Sequence, residues 1–236
     1  MRGCRPACRE PVVVRAARRI AVVAMGMGDA RVHTLVLATT NPGKVREYEW
    51  LLAEAGLPLR ILGLGEVGLS APPETGETFA ENAILKARHA AVGSGLPALA
   101  DDSGLEVDGL GGAPGVRSAC YAGEGATDEA NRRRLITELA RVPEGERTGR
   151  FRCAIAIALL DGAVETVEGH CEGHVITAPR GDNGFGYDSL FLLPGRGLTL
   201  AELTLAEKNA ISHRARATAQ ALPVLRRLLA QGEEGG

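Results

Sequence analysis

Apolar and polar positions alternate along this chain in blocks that change period at glycines and prolines. HTLVLA (33–38) is a short apolar run followed at once by TTNPGK (39–44), which predicts a buried strand meeting a turn. From Gly43 the period becomes helical. Val45, Tyr48, Leu51, Leu52 and Ala55 recur at spacings of three and four, and Gly56 ends the helix. A second strand is expected near 59–62. A Gly/Pro-rich loop then leads through PPETGET (72–78) to Thr78 and Glu81, a capping-box pair that starts a helix ending at Gly93 or Gly95. PALADDSGLEVDGLGG (97–112) reads as two short strands around a turn at Ser103-Gly104.

Thr127 opens another helix, with Leu135, Ile136 and Leu139 on one face. FRCAIAIALL (151–160) is a strand. Asp161-Gly162 signals a hairpin, and AVETVEGHCEGHV returns as its partner, so the sheet is expected to be mixed. A helical stretch is expected near 200–209. A last helix begins near Ser212, carries Leu222, Leu225, Leu228 and Leu229, and should be kinked by Pro223. Residues 231–236 read as a frayed tail. No internal repeat and no long linker divides the chain.

Composition adds limits. The chain has 236 residues and a formal net charge of −2, with 45% hydrophobic and only 3% aromatic residues. That is a globular composition with no basic excess to suggest nucleic-acid binding, and a core of Leu, Val, Ile and Ala. Five cysteines without regular spacing make no disulfide framework, and Cys4 and Cys8 lack the partners of a zinc site. This usage fits a reducing cytoplasm, and Cys153 reads as a small buried hydrophobe. No apolar run is long enough to span a membrane. Residues 1–31 are basic and then briefly apolar, and are expected to be a disordered leader or an over-long gene start. One two-lobed domain is expected over 32–231, with a flexible tail at 232–236.

Five segments carry chemistry. TTNPGK lies where a strand gives way to a helix, so free N–H groups and Lys44 suit a phosphate; a plain turn with a solvent-facing Lys44 is the other reading. In DDSG (101–104), neighbouring strand side chains point opposite ways. Asp101 and Asp102 therefore need not share one role. One can bind metal while the other braces the backbone, or both can simply cap a turn. Glu74 matters only as a partner for Asp102, because magnesium prefers one or two carboxylates plus phosphate oxygens and water. In GFGYD (184–188), Phe185 and Tyr187 offer faces for a planar base, unless both belong to the core, and Asp188 offers an acceptor. In EKNAISHR (207–214), His213 and Arg214 fall in a first helical turn, where a basic pair suits an anionic or hydrogen-bonding partner; a solvated polar helix start fits equally.

Taken together and in order, ATTNPGK, ETGETFAENAILKA, ADDSGLEVD, GGAPGVRSA, GFGYD and EKNAISHR resemble the inosine triphosphate pyrophosphatase family, the non-standard purine dITP/XTP pyrophosphatases. The resemblance runs from about Leu35 to about Leu229. It implies an elongated α/β fold of two lobes, with a long mixed central sheet flanked by helices and the active-site cleft between the lobes. It implies a cytoplasmic homodimer that needs Mg²⁺ and converts ITP, dITP or XTP to the monophosphate and pyrophosphate, with no nucleic-acid or membrane partner. By the same resemblance Thr39, Thr40, Asn41, Pro42, Gly43 and Lys44 hold the triphosphate. Glu74 and Asp102 bind metal, Asp102 also takes the proton of the attacking water, and Ser103 contacts substrate. Phe185, Gly186, Tyr187, Asp188, Lys208, His213 and Arg214 form the nucleotide pocket. Ser189 departs from the family, whose members often carry proline there. The rival readings are a pyrophosphatase for modified pyrimidine nucleotides, a non-hydrolytic nucleotide sensor and, least favoured by charge, a nucleic-acid-binding module.

Overall fold

The computed structural model describes residues 33–234, all within one compact unit. The expected leader, with Cys4 and Cys8, lies outside the described residues. Six strands form one sheet in the order β2-β1-β3-β4-β5-β6. β1 (His33–Leu37) runs parallel to β2 (Leu59–Gly63) and to β3 (Ala98–Val107). β4 (Thr148–Ala158), β5 (Val164–Val175) and β6 (Phe191–Leu192) are added antiparallel, so the sheet is mixed as the 161–162 hairpin predicts. The helices are α1 (Pro42–Glu54), α2 (Phe79–Ser94), α3 (Asp128–Leu139), α4 (Leu205–Asn209) and α5 (His213–Glu234). α5 passes through Pro223 and continues beyond the expected end at 231.

Local chemistry sets these bounds. Asn41 caps α1, accepting from the Gly43 and Lys44 amides at 2.8 and 3.2 Å. Thr78 and Glu81 form the expected capping box of α2, and Gly95, at φ 68°, closes it in the left-handed region.

Helices cover both faces of the sheet at one end. On one face Val36, Ala98, Ala100, Ala154 and Ala156 meet the alanines of α2. On the other, Leu35, Leu37, Leu99, Ile155 and Ile157 meet Tyr48 and Leu52 of α1 and Ala217 and Ala221 of α5. Burial on both sides explains why β1 reads as a continuous apolar run. At the far end Leu105, Val107, Phe151, Cys171 and Val175 join Leu135, Leu139, Tyr187 and Phe191 in a third cluster. The long strands β3 and β4 thus serve two lobes, and Asp101 to Ser103 sit where one core gives way to the next.

One expectation is corrected. The segment around Ser103-Gly104 is not a turn between two short strands. β3 runs unbroken for ten residues and pairs with β4 in register throughout. Gly104 is needed for close approach: a Cβ there would meet the Ser118 hydroxyl, and the Gly115 carbonyl oxygen at 2.6 Å. Pattern alone does not distinguish that role from a turn.

Candidate active site

Alternation along β3 sends Asp101 and Asp102 to opposite faces, and each meets its own cations. Asp102 faces α2. Its Oδ1 lies 3.0 Å from Lys86 Nζ, and its Oδ2 accepts from Asn82 Nδ2 at 3.2 Å. Glu74 Oε1 approaches the same ammonium nitrogen at 2.6 Å, so the two carboxylates expected to share a metal share one lysine. Asn82 also accepts the Gly76 amide at 2.7 Å, which ties the Glu74 loop to the same helix. Burial raises the Asp102 pKa above its ordinary value, and the Lys86 and Lys44 charges offset this only in part. Burial alone would lower Lys86; the charges of Asp102, Asp101 and Glu74 outweigh it and hold the ammonium protonated. Among the described residues no group of three or more His, Cys, Asp or Glu side chains is placed to hold a metal.

Asp101 faces α1 and α5 and begins a buried chain of alternating charge. Lys44 Nζ lies 3.1 Å away and Arg214 Nη2 2.9 Å away. Arg214 also donates to Ser103 Oγ at 2.8 Å and to Glu47. Glu47 pairs with Lys208 at 2.7 Å, and Lys208 pairs with Asp188. Burial pushes Glu47 up, but the Arg214 and Lys208 charges outweigh it and hold the carboxyl below its usual range. Four hydrogen bonds occupy the Arg214 guanidinium, which is 1% exposed. Lys44 therefore is not a solvent-facing lysine, and Arg214 is held by protein acceptors.

The GFGYD loop puts its two aromatics to different uses. Tyr187 is 4% exposed, belongs to the third core cluster and donates to the Ser118 carbonyl at 2.8 Å. Phe185 lies over Gly43, where any Cβ would strike its ring, and its face carries Lys208 at 4.8 Å. Asp188 accepts from Lys208 and from the Phe185 amide, the latter at 2.9 Å. The Gly186 peptide is gripped from α3: Asp128 accepts its N–H and Arg132 donates to its carbonyl, both at 2.7 Å. His213 stacks on Phe151 with ring centres 4.8 Å apart, and its Nδ1 is buried without a protein partner. Burial, with Arg214 and Lys208 nearby, holds its pKa well below the ordinary value, so the ring is neutral.

These groups surround one cavity of about 440 Å³. Thr39, Thr40, Asn41, Pro42, Lys44, Glu74, Lys86, Asp102 and Ser103 line it together with Phe185, Gly186, Tyr187, Asp188, Lys208, His213 and Arg214. Gly43 lies just behind the Phe185 ring. Lys86 and Asp128 in the cavity lining, and Glu47 and Asn82 behind it, are the members that sequence reading missed, whereas Asp101 was read as having a role separate from that of Asp102. Glu47 and Lys86 did leave a signal: each is a charge on an otherwise apolar helical face, Glu47 beside Tyr48 and Leu51, Lys86 beside Ala83, Ala87 and Ala90.

Comparison with known proteins supplies a context for this arrangement. Residues 35–224 match the model of the Ham1 family. A "dITP/XTP pyrophosphatase" of Desulforamulus reducens is 51% identical over 195 residues, covering 82% of this chain and 96% of that protein. One of the same description from Geobacillus kaustophilus is 51% identical over 183 residues, covering 78% and 89%. A HAM1 protein from Coxiella burnetii superimposes with a TM-score of 0.75 at 43% identity, covering 83% of this chain and 99% of that one.

Proposed function

Because this chain belongs to the Ham1 family, we propose that it hydrolyses non-standard purine nucleoside triphosphates such as ITP, dITP and XTP to the monophosphate and pyrophosphate. The observation that carries the reading in the site itself is the pair Glu74 and Asp102, converging on one cation beside Lys44 and the 39–44 turn.

The donor set fits magnesium: two hard carboxylate oxygens, with room in the cavity for phosphate oxygens and water to complete the coordination. Bound there, the ion would neutralise the triphosphate and stabilise the departing pyrophosphate. Lys44 and Lys86 present further positive charge to the phosphates. Asp102 aligns a water on the α-phosphorus and takes its proton as the new P–O bond forms and the bond to the β-phosphate oxygen breaks. Thr39, Thr40 and Asn41 border the phosphates. Phe185 stacks on the base, and the Lys208–Asp188 pair and the Asp128–Arg132 grip on Gly186 fix the loop that carries it. His213 lines the same cavity as a neutral ring and borders the base. Arg214 positions Asp101 and Ser103 through three bonds and Glu47 through a fourth. A mismatched buried polar pair at the 6-position costs about 1–3 kcal/mol, which separates a 6-carbonyl from the 6-amino group of adenine. The functional unit is a homodimer working in the cytoplasm on a small nucleotide, without nucleic acid.

A panel of ITP, XTP, dITP, ATP, GTP, dTTP and UTP, assayed for pyrophosphate release, tests the reading. Release is expected from the first three with Mg²⁺ and is expected to stop with chelator. Preference for dTTP or UTP would favour a pyrimidine enzyme, and binding of ITP without release would favour a sensor.

A further inference from the structure

The position between Glu74 and Asp102 is filled by the protein's own cation. Lys86 Nζ lies 2.6 Å from one carboxylate and 3.0 Å from the other, and the Lys86 and Asp102 side chains are only 8% and 7% exposed. Asn82 holds both walls of this site, binding Asp102 through Nδ2 and the Gly76 amide of the Glu74 loop through Oδ1. A divalent ion entering alone would have to displace the ammonium or sit beside it, and like charges at such range repel strongly in a partly buried site. Nor would two carboxylates complete its shell, since magnesium takes six ligands and draws the rest from water and phosphate.

We propose that Lys86 closes this site to divalent cations in the nucleotide-free protein, so that the substrate admitted is the preformed complex of metal and triphosphate. This rests on the reading of Glu74 and Asp102 as metal ligands and specifies the form in which substrate arrives. The exchange balances charge without any covalent step. The carboxylates release an ammonium and receive a divalent cation, and the ammonium finds new partners in the phosphate oxygens that came with the metal.

Manganese titration of the nucleotide-free protein, read from the paramagnetic signal of free Mn²⁺, tests this. Wild type is expected to bind Mn²⁺ weakly, and Lys86→Met to bind it more tightly by on the order of tenfold or more, the direction that removing a competing charge dictates. Lys86→Gln supplies the same comparison with a polar side chain should the methionine variant not fold by circular dichroism. Adding the non-hydrolysable α,β-methylene analogue of ITP should lower free Mn²⁺ in the presence of wild type beyond what the analogue alone takes up in a protein-free control. The proposal is overturned if nucleotide-free wild type takes up Mn²⁺ as tightly as either variant, or as tightly as it does with the analogue. A separate result would sink the underlying assignment instead: Glu74→Gln taking up Mn²⁺ with the analogue, above the protein-free control, as well as wild type does.

Discussion

Asp102 owes its chemistry to its surroundings. It is 5% exposed, held from one side by Asn82 and from the other by Lys86, and burial raises its affinity for a proton. Asp102→Asn keeps the size but turns one of two acceptor oxygens into an N–H donor facing Asn82 or Lys86, so circular dichroism should still show the fold while the melting temperature falls. Hydrolysis of ITP should fall by about 10²–10⁴-fold, the usual worth of a positioned general base; turnover near wild type would remove Asp102 from the role. Gly104 is a different kind of single-residue requirement. In Gly104→Ala the new methyl meets the Gly115 carbonyl oxygen at 2.6 Å and the Phe79 ring at 2.9 Å. Urea denaturation should show a loss of about 1–3 kcal/mol, the usual cost of overpacking, whereas an unchanged midpoint would mean the strand yields freely. At this scale the sequence showed that the two aspartates need not act together, because alternation in a strand is a rule of geometry. It did not show which lysine each would meet, since Lys86 and Lys44 come from helices packed on opposite faces. Tyr187 and Phe185 look alike in a glycine-rich segment, and only burial separates the core residue from the cavity wall.

Helices and strands were legible where period and caps agreed: Asn41, Thr78 and Thr127 each begin a helix at or beside the expected point. What periodicity does not carry is the lateral pairing of elements far apart in sequence. α1 and α5 are tied by Glu47 to Arg214, and α1 to α4 by Glu47 to Lys208, across more than a hundred residues. Glu47 is buried, and its folded pKa lies below the ordinary 4.5. Its contribution to stability is therefore whole above that ordinary value and is lost as pH falls below it toward the lowered one. Glu47→Gln should cost about 3–5 kcal/mol at neutral pH, because it leaves Arg214 and Lys208 short of a buried counter-charge. The gap between variant and wild type should narrow below pH 4.5. Urea midpoints measured at neutral pH and at successively lower pH give the comparison, and a constant gap would contradict the assignment. A substitution on one helix should thus be felt by two others.

At the scale of the whole molecule, two lobes share one sheet, and the site lies where their cores meet. No helix among the described residues is long and apolar enough to cross a membrane. Sedimentation equilibrium of the full chain should give twice the 24.7 kDa mass, as the proposed homodimer requires; a monomer at micromolar concentration would count against it. The mixed sheet could be anticipated from the 161–162 hairpin. The three cores could not, because Ala98 to Val107 reads as two short strands around a turn and not as one strand crossing from one lobe to the other. That crossing has a consequence for how the chain tolerates insertion and deletion. Removing or adding a single residue within β3 ahead of Asp101 would trade the two carboxylates between faces. The proton acceptor would then lie sealed beneath Arg214, while its neighbour stood in the cavity without the bracing it was shaped for. Length in this strand is therefore as much an inherited constraint as the identity of any side chain it bears.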